Sequence, residues 1–312
     1  MNEISMKAYA KINLCLDVLG KLENNYHQVE MVMQQVNLYD TVTVKYYPLM
    51  DEKAEQRENE QIEVTTNCEG LLTDQANLAY KAAALMQSIY NPNCRIAIEL
   101  EKRIPIAAGL AGGSADAAAV MLALSQLWHL NLKLQDLLQL GVKLGADVPF
   151  CIMGQVYKRK DLQLREKELA STCAFAEGIG EKLTPLPPLD GWILLSKPPV
   201  NISTKSVYDA FLMDEVKCHP NTTELISGLK ERNLNKIQKN MINVLETVTL
   251  NKNPSVLETK LYLKSFQTAY QVLMSGSGPT IFSLYTSKNK AKTAYINSKK
   301  KNEDTYLIRT LS

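Results

Sequence analysis

Pro105-Ile106-Ala107-Ala108-Gly109-Leu110-Ala111-Gly112-Gly113-Ser114-Ala115-Asp116-Ala117-Ala118-Ala119 is the stretch around which this chain reads. Three glycines and a run of alanines lead into apolar residues at helical spacing with no breaker. Residues this small let backbone N–H groups close on an anion, and a helix beginning at Ser114 would aim its unpaired amides and positive dipole end at it. Phosphate has the matching charge and size. Neither common nucleotide fingerprint is present: G-x-x-x-x-G-K-[ST] is absent, and Gly109, Gly112 and Gly113 are not spaced as G-x-G-x-x-G. On glycine count alone, a tightly packed turn explains the segment as well as a phosphate cradle.

Working outward toward the N-terminus, Ile12, Leu14, Leu16 and Val18 alternate with Lys11, Asn13, Cys15 and Asp17, which predicts a strand buried on one face. Asn24-Asn25-Tyr26-His27 predicts the turn of a hairpin whose second strand runs through Val36. Strands over 40–47 and 62–66 flank a polar run, 50–61, expected as an exposed loop. An Ala-rich helix over 76–89 and a strand over 94–100 lead through Lys102 into the glycine stretch.

On the C-terminal side, residues 132–144 have helical spacing and stop at Gly145, where a left-handed cap is expected, with Asp147 just beyond. A strand over 192–195 precedes a loop entering a helix, with Ser203 or Thr204 near its cap. Helical patterns over 222–229, 234–248 and 254–264 follow. Met274-Ser275-Gly276-Ser277-Gly278-Pro279-Thr280 forms a second glycine loop between apolar strands.

Composition bounds the function. At 312 residues and 46% hydrophobic content, the chain buries a full core as two domains or one large one. A formal charge of +2 leaves no basic footprint for nucleic acid. Residues 1–5 carry no signal-peptide pattern, and no segment reaches the roughly 18 apolar residues of a membrane span. Six scattered cysteines and three histidines predict reduced thiols in cytoplasm, with no zinc site and no protein metal ligands.

The wording P-x-x-x-G-L-x-G-G-S-x-D-A-A is more specific than its glycines, and it resembles the phosphate-binding loop of the GHMP kinases. Within that superfamily, G-G-S-x-D-A-A, the strand A-K-I-N-L-C-L-D-V-L-G, the Tyr26-His27 pair and G-A-D-V-P-F resemble the branch acting on 4-diphosphocytidyl-2-C-methyl-D-erythritol. Three departures stand out. Ala115 replaces a usual second Ser, Asn24-Asn25 replaces a usual D-G, and about sixteen residues, 156–171, are extra; they are expected as a surface hairpin or short surface helix.

The resemblance implies an α+β two-domain GHMP kinase-like fold, residues 1–180 and 181–312, with the active site in the interdomain cleft. It implies Asp147 and Lys11 as the catalytic pair. Lys102, Pro105, Ala107, Gly109, Leu110, Ala111, Gly112, Gly113 and Ser114 would lie against ATP, with Mg2+ accompanying it. Asn13, Tyr26, His27, Thr204 and Tyr208 would bind the small-molecule acceptor, the cytidine face falling to Tyr26, His27 and Tyr208. Two alternatives remain at this point: another GHMP kinase, such as one acting on homoserine or mevalonate, and a catalytically silent nucleotide-binding protein.

Overall fold

The computed structural model describes residues 2–23, 25–48, 61–90 and 93–312. The expected loop over 50–61 therefore lies, apart from Gln61, outside the described residues, as does Asn24 of the expected turn. The chain forms two compact units, neither contiguous. The first comprises 1–10, 38–104 and 111–170; the second comprises 11–37, 105–110 and 171–312.

Two long strands, β1 (Glu3–Lys21) and β2 (His27–Pro48), contribute one part to each unit. In the first unit, β2 pairs antiparallel with β4 (Cys94–Glu101), and β4 pairs parallel with β3 (Ile62–Thr66). Helices α1 (Leu78–Tyr90), α2 (Gly112–Leu127), α3 (Leu134–Val142) and α4 (Val148–Lys158) complete it. Helix α2 is apolar all round, so it is buried all round: every residue from Ala115 to Ser125 is inside. The core joins it to Met86, Ile96, Ile98, Leu100, Leu137 and Ile152, each such side chain contributing about 1.5–3 kcal/mol by leaving water.

In the second unit, β2 pairs antiparallel with β5 (Cys173–Glu177), and β5 with β6 (Lys182–Leu186). A separate antiparallel sheet has the order β10–β7–β9–β8, from β7 (Trp192–Lys197), β8 (Gln271–Met274), β9 (Ile281–Tyr285) and β10 (Asp304–Arg309). Helices α5 (Thr204–Asp209), α6 (Thr222–Glu231), α7 (Leu234–Asn240), α8 (Glu246–Lys252), α9 (Pro254–Ser265) and α10 (Lys288–Lys301) belong to it. Gln34 knots early and late residues of this unit together. Its fully buried amide accepts from Leu189 N at 2.9 Å and donates to Leu311 O at 2.9 Å, while Val36 bridges Thr310.

Four sequence expectations change. Strand β1 is buried on both faces from Ala10 to Val18, because Lys11, Asn13 and Asp17 find polar partners inside. The helix ending before Gly145 stops at Lys143 in right-handed conformation, with Gly145 N bonded to Gly141 O at 3.2 Å, so no left-handed cap forms. The helical run over 234–248 is two helices, α7 and α8, since Asn243 between them turns its amide to Met274 O and Gly276 O at 2.9 and 2.8 Å.

The extra segment is not a surface hairpin, and the short surface helix expected of it is one 3-10 turn, Lys167–Leu169, with none of its residues buried. The segment's start extends α4, Arg165 bridges Lys133, and Leu162 and Leu164 are buried in the first unit's core. All six cysteines are free. Among the described residues, no helix is long and apolar enough to cross a membrane.

Candidate active site

Lys11 and Asn13 are on β1, two residues apart and so on one face of the strand. Lys11 Nζ donates to Asn13 Oδ1 at 2.8 Å, and Asn13 Nδ2 points to Met31 Sδ at 3.1 Å. Both are nearly sealed from water, at 4% and 0% exposure. A buried ammonium survives only where polar atoms receive it, which makes this the built end of the strand rather than a solvated edge.

The same unit brings the first half of the glycine stretch to that place. Lys11 N donates to Leu110 O at 3.1 Å, and Ser275 Oγ in the second glycine loop donates to Gly109 O at 3.0 Å. Gly109 has φ +71°, and a Cβ there would fall 2.3 Å from Ser275 O. Only glycine fits both the left-handed backbone and the contact. The second loop is close in its turn: a Cβ on Gly276 would meet Gly109 O at 3.2 Å and Asn13 Oδ1 at 3.6 Å. Thr204, at the start of α5, exchanges a 3.0 Å hydroxyl bond with Ser277. Ser203 caps that helix by accepting from Ser206 N, as its sequence position foretells.

Also in the second unit, the His27 and Tyr208 rings stand 5.1 Å apart between centroids at 35°. Partial burial, then the nearby Lys21 charge, lower the His27 pKa below its usual value, so the ring is neutral at pH 7. Tyr26 is well exposed, at 58%. The tight chain reversal before it is real: Leu22 N bonds Tyr26 O at 2.8 Å and Asn25 has φ +67°.

In the first unit, α2 begins after Ala111, whose backbone is left-handed (φ 57°) and whose methyl side chain offers no cap. The helix thus starts two residues earlier than expected, and its opening amides, on Gly112, Gly113 and Ser114, have no acceptor within the helix. This is the geometry that receives an anion. Asp147 is the residue immediately before α4, half-buried, with Pro149 in the first helical turn. Its carboxylate therefore stands at the positive end of a second helix dipole.

Lys102 occupies a different setting from the one its position before the loop suggests. Its Nζ donates to both Asp40 Oδ2 and Asp116 Oδ2, the latter at 2.5 Å, with all three side chains at 6% exposure or less. Burial pulls the Lys102 pKa down, but the two carboxylates outweigh it and leave it raised. Burial pushes the Asp116 carboxyl well above the usual range. Asp116 was visible in the motif G-G-S-x-D-A-A, whereas Asp40, a lone acid at the end of N-L-Y-D, gave no signal. Ser275, Ser277 and Asn243 likewise emerge as supports of the glycine loops only through their contacts.

Comparison with known proteins gives a consistent result. The family model for the GHMP kinases N terminal domain matches residues 77–155, and that for GHMP kinases C terminal matches 225–297. The chain is 40% identical, over 100% of its length and 98% of the relative's, to a 4-diphosphocytidyl-2-C-methyl-D-erythritol kinase of Alkaliphilus metalliredigens. It is 42% identical, over 96% of its length and 94% of the relative's, to one of Lachnoclostridium phytofermentans. A crystal structure of 4-(cytidine 5'-diphospho)-2C-methyl-D-erythritol kinase superposes with TM-score 0.76 at 26% identity, over 99% of this chain and all of that one. Homoserine kinase from Cytophaga hutchinsonii shares the fold, with TM-score 0.73 at 20% identity over 98% and 94% of the two chains. With likeness at this level running end to end, the chain belongs to the 4-diphosphocytidyl-2-C-methyl-D-erythritol kinase family of GHMP kinases.

Proposed function

We propose that this chain transfers the γ-phosphoryl group of ATP to the 2-hydroxyl of 4-diphosphocytidyl-2-C-methyl-D-erythritol, giving the 2-phosphate and ADP in the non-mevalonate route to isoprenoid precursors. The observation that carries this reading is the full-length likeness to kinases of that name in a chain that has Lys11, Asn13, Tyr26-His27 and Asp147.

Phosphoryl transfer asks a protein to position two reactants and to neutralise charge. Asp147 takes the proton as the hydroxyl oxygen bonds to phosphorus and the bond to ADP breaks. Lys11 stabilises charge on the attacking oxygen. The amides of Gly112, Gly113 and Ser114 receive the ATP phosphates, with Pro105, Ala107, Gly109, Leu110 and Ala111 shaping the rest of the loop. Asn13 and Thr204 contact the acceptor, and Tyr26, His27 and Tyr208 read its cytosine by stacking and by hydrogen bonds to the ring edge.

Mg2+ would enter with ATP and would supply charge neutralisation at its phosphates, and the Ser114 hydroxyl, at the open start of α2, would bond a phosphate. In sequence, residues 1–180 and 181–312 are the two family domains of this reading, the matched segments falling on either side of 180, while in space residues 11–37 and 105–110 go with the C-terminal unit. The acceptor is a small, water-soluble nucleotide conjugate, in keeping with a reaction in the cytoplasm.

The test is incubation with magnesium-ATP and the cytidine acceptor, following ADP and the 2-phosphate product. Absence of turnover by folded protein overturns the reading, and equal use of a uridine analogue overturns the cytidine assignment.

A further inference from the structure

We infer that Asp40, Lys102 and Asp116 form a positioning staple that holds the two ends of the phosphate loop at a fixed separation, so that Lys102 acts on ATP through the loop and not by touching phosphate. The inference rests on the reading of this loop as the ATP phosphate site.

The bonds run across the loop's ends. Asp40 Oδ1 accepts the backbone N–H groups of Arg103 and Ile104, at 2.5 and 2.8 Å, immediately before Pro105. Asp40 Oδ2 and Asp116 Oδ2 share the Lys102 ammonium, and Asp116 is the fifth residue of α2, just past the open amides. The backbone of Lys102 is itself fixed, its N–H bonded to Asn67 Oδ1 at 2.7 Å. Chain entering the loop and helix leaving it are thus joined through a single cation. The staple also lies directly behind the cradle: a Cβ on Gly112 would come 3.1 Å from Ile104 Cγ2 and 3.6 Å from Lys102 Nζ.

Stability alone does not account for this arrangement. Burying an ion set is often no better than packing apolar side chains in its place, and Asp116 Oδ1 is buried with no hydrogen-bond partner among the described residues, a loss that ordinary folding avoids. What the triad provides is geometry, because both acceptors and the backbone donors must be in register at once. A lysine held by two carboxylates also has little charge to offer a phosphate.

The experiment compares Lys102→Met, Asp116→Ala, their double variant and Asp116→Asn. It reads ATP affinity by titration calorimetry without acceptor, KM for each substrate, hydrogen exchange of the loop amides over 109–115, and the denaturation midpoint. The staple predicts that ATP affinity falls about tenfold in each single variant and no further in the double, as expected of groups acting as one unit. Loop amides exchange faster in both single variants, acceptor KM stays within about twofold, and Asp116→Asn, which keeps an acceptor oxygen, stays within about threefold of wild type. Should Asp116→Ala not fold, Asp116→Leu, which fills the same space, gives the same loss.

Unchanged ATP affinity in folded variants, a drop in midpoint alone, or fully additive losses would overturn the staple. So would tighter ATP binding by Asp116→Ala, which would mean that a released Lys102 reaches phosphate directly. Because ATP binding is measured without acceptor, failure of the acceptor assignment leaves this result readable.

Discussion

The two halves of the organising stretch are held by different physics. Residues 105–110 are fixed chiefly through backbone: Leu110 O takes the Lys11 amide, and Gly109 has no room for a side chain against the backbone of Ser275 and Gly278, the Ser275 hydroxyl adding one side-chain bond to Gly109 O. Residues 111–116 are fixed through side chains, with Ile104 behind Gly112 and a buried cation bonded to Asp116. A backbone contact cannot be relieved by rotating a side chain, whereas a side-chain contact can. Damage in the first half is therefore expected to fall on folding, and damage in the second on binding.

The hardest test of that contrast is Gly109→Ala. A methyl group 2.3 Å from a carbonyl oxygen, on backbone with φ +71°, forces the two loops apart; the expected cost is about 4 kcal/mol or loss of folded protein, read by chemical denaturation. Normal stability would erase the distinction. Asp147→Asn, outside both halves, calibrates a purely chemical defect: kcat is expected to fall by roughly 10²–10⁴ with the denaturation midpoint nearly unchanged. Wild-type kcat would remove Asp147 from the reaction.

Gly112→Ala asks whether the second half bends. The nearest neighbours of its new methyl are the Ile104 side chain at 3.1 Å and the Lys102 ammonium at 3.6 Å, so stability should change by about 1 kcal/mol or less while KM for ATP rises roughly tenfold. A large stability loss with normal KM would reverse the assignment of the halves.

Away from the loop, His27→Ala should raise KM for the cytidine substrate by about fivefold and leave that for ATP nearly unchanged. Because burial and Lys21 lower the pKa of His27, its neutral form persists at pH 6.5. Acceptor KM should accordingly rise at a pH below the one at which an ordinary histidine protonates; a rise centred at or above that pH would contradict this. The smallest effect is Ala111→Gly, which relieves a left-handed alanine at φ 57° and should stabilise by about 0.5–1 kcal/mol, measured by thermal unfolding.

Local pattern was enough wherever one segment settles its own structure. The Ala-rich segment is α1, Ser203 caps α5, and the Met274–Thr280 loop joins β8 to β9. Pattern failed where the deciding partner is far away in sequence. Alternation in β1 predicts a wet face, yet Asp17 meets His219 at 2.8 Å and Lys11 is sealed beside Asn13. The helical period of 234–248 says nothing of Asn243 turning toward Met274 and Gly276.

Leu162 and Leu164 sit among charges in sequence but inside the core in space, so excising 156–171 would open cavities and not merely shorten a loop. Lys102 is the sharpest case at the candidate site. Its place before the loop puts it near nucleotide, and only Asp40, 62 residues away, and Asp116 show what the ammonium faces.

The Gln34 knot bears on how the protein is made. Strand β2 leaves the ribosome early, but its partner Cys173–Gln34 register and the acceptor Leu311 O arrive long afterwards. Contacts this distant are slow to form, and until residue 311 has emerged a fully buried amide and its neighbouring strand lack part of their sealing layer. Until residue 311 is available, the Gln34 amide lacks one of its acceptors, so the second unit's pairing is complete only when that distant segment docks.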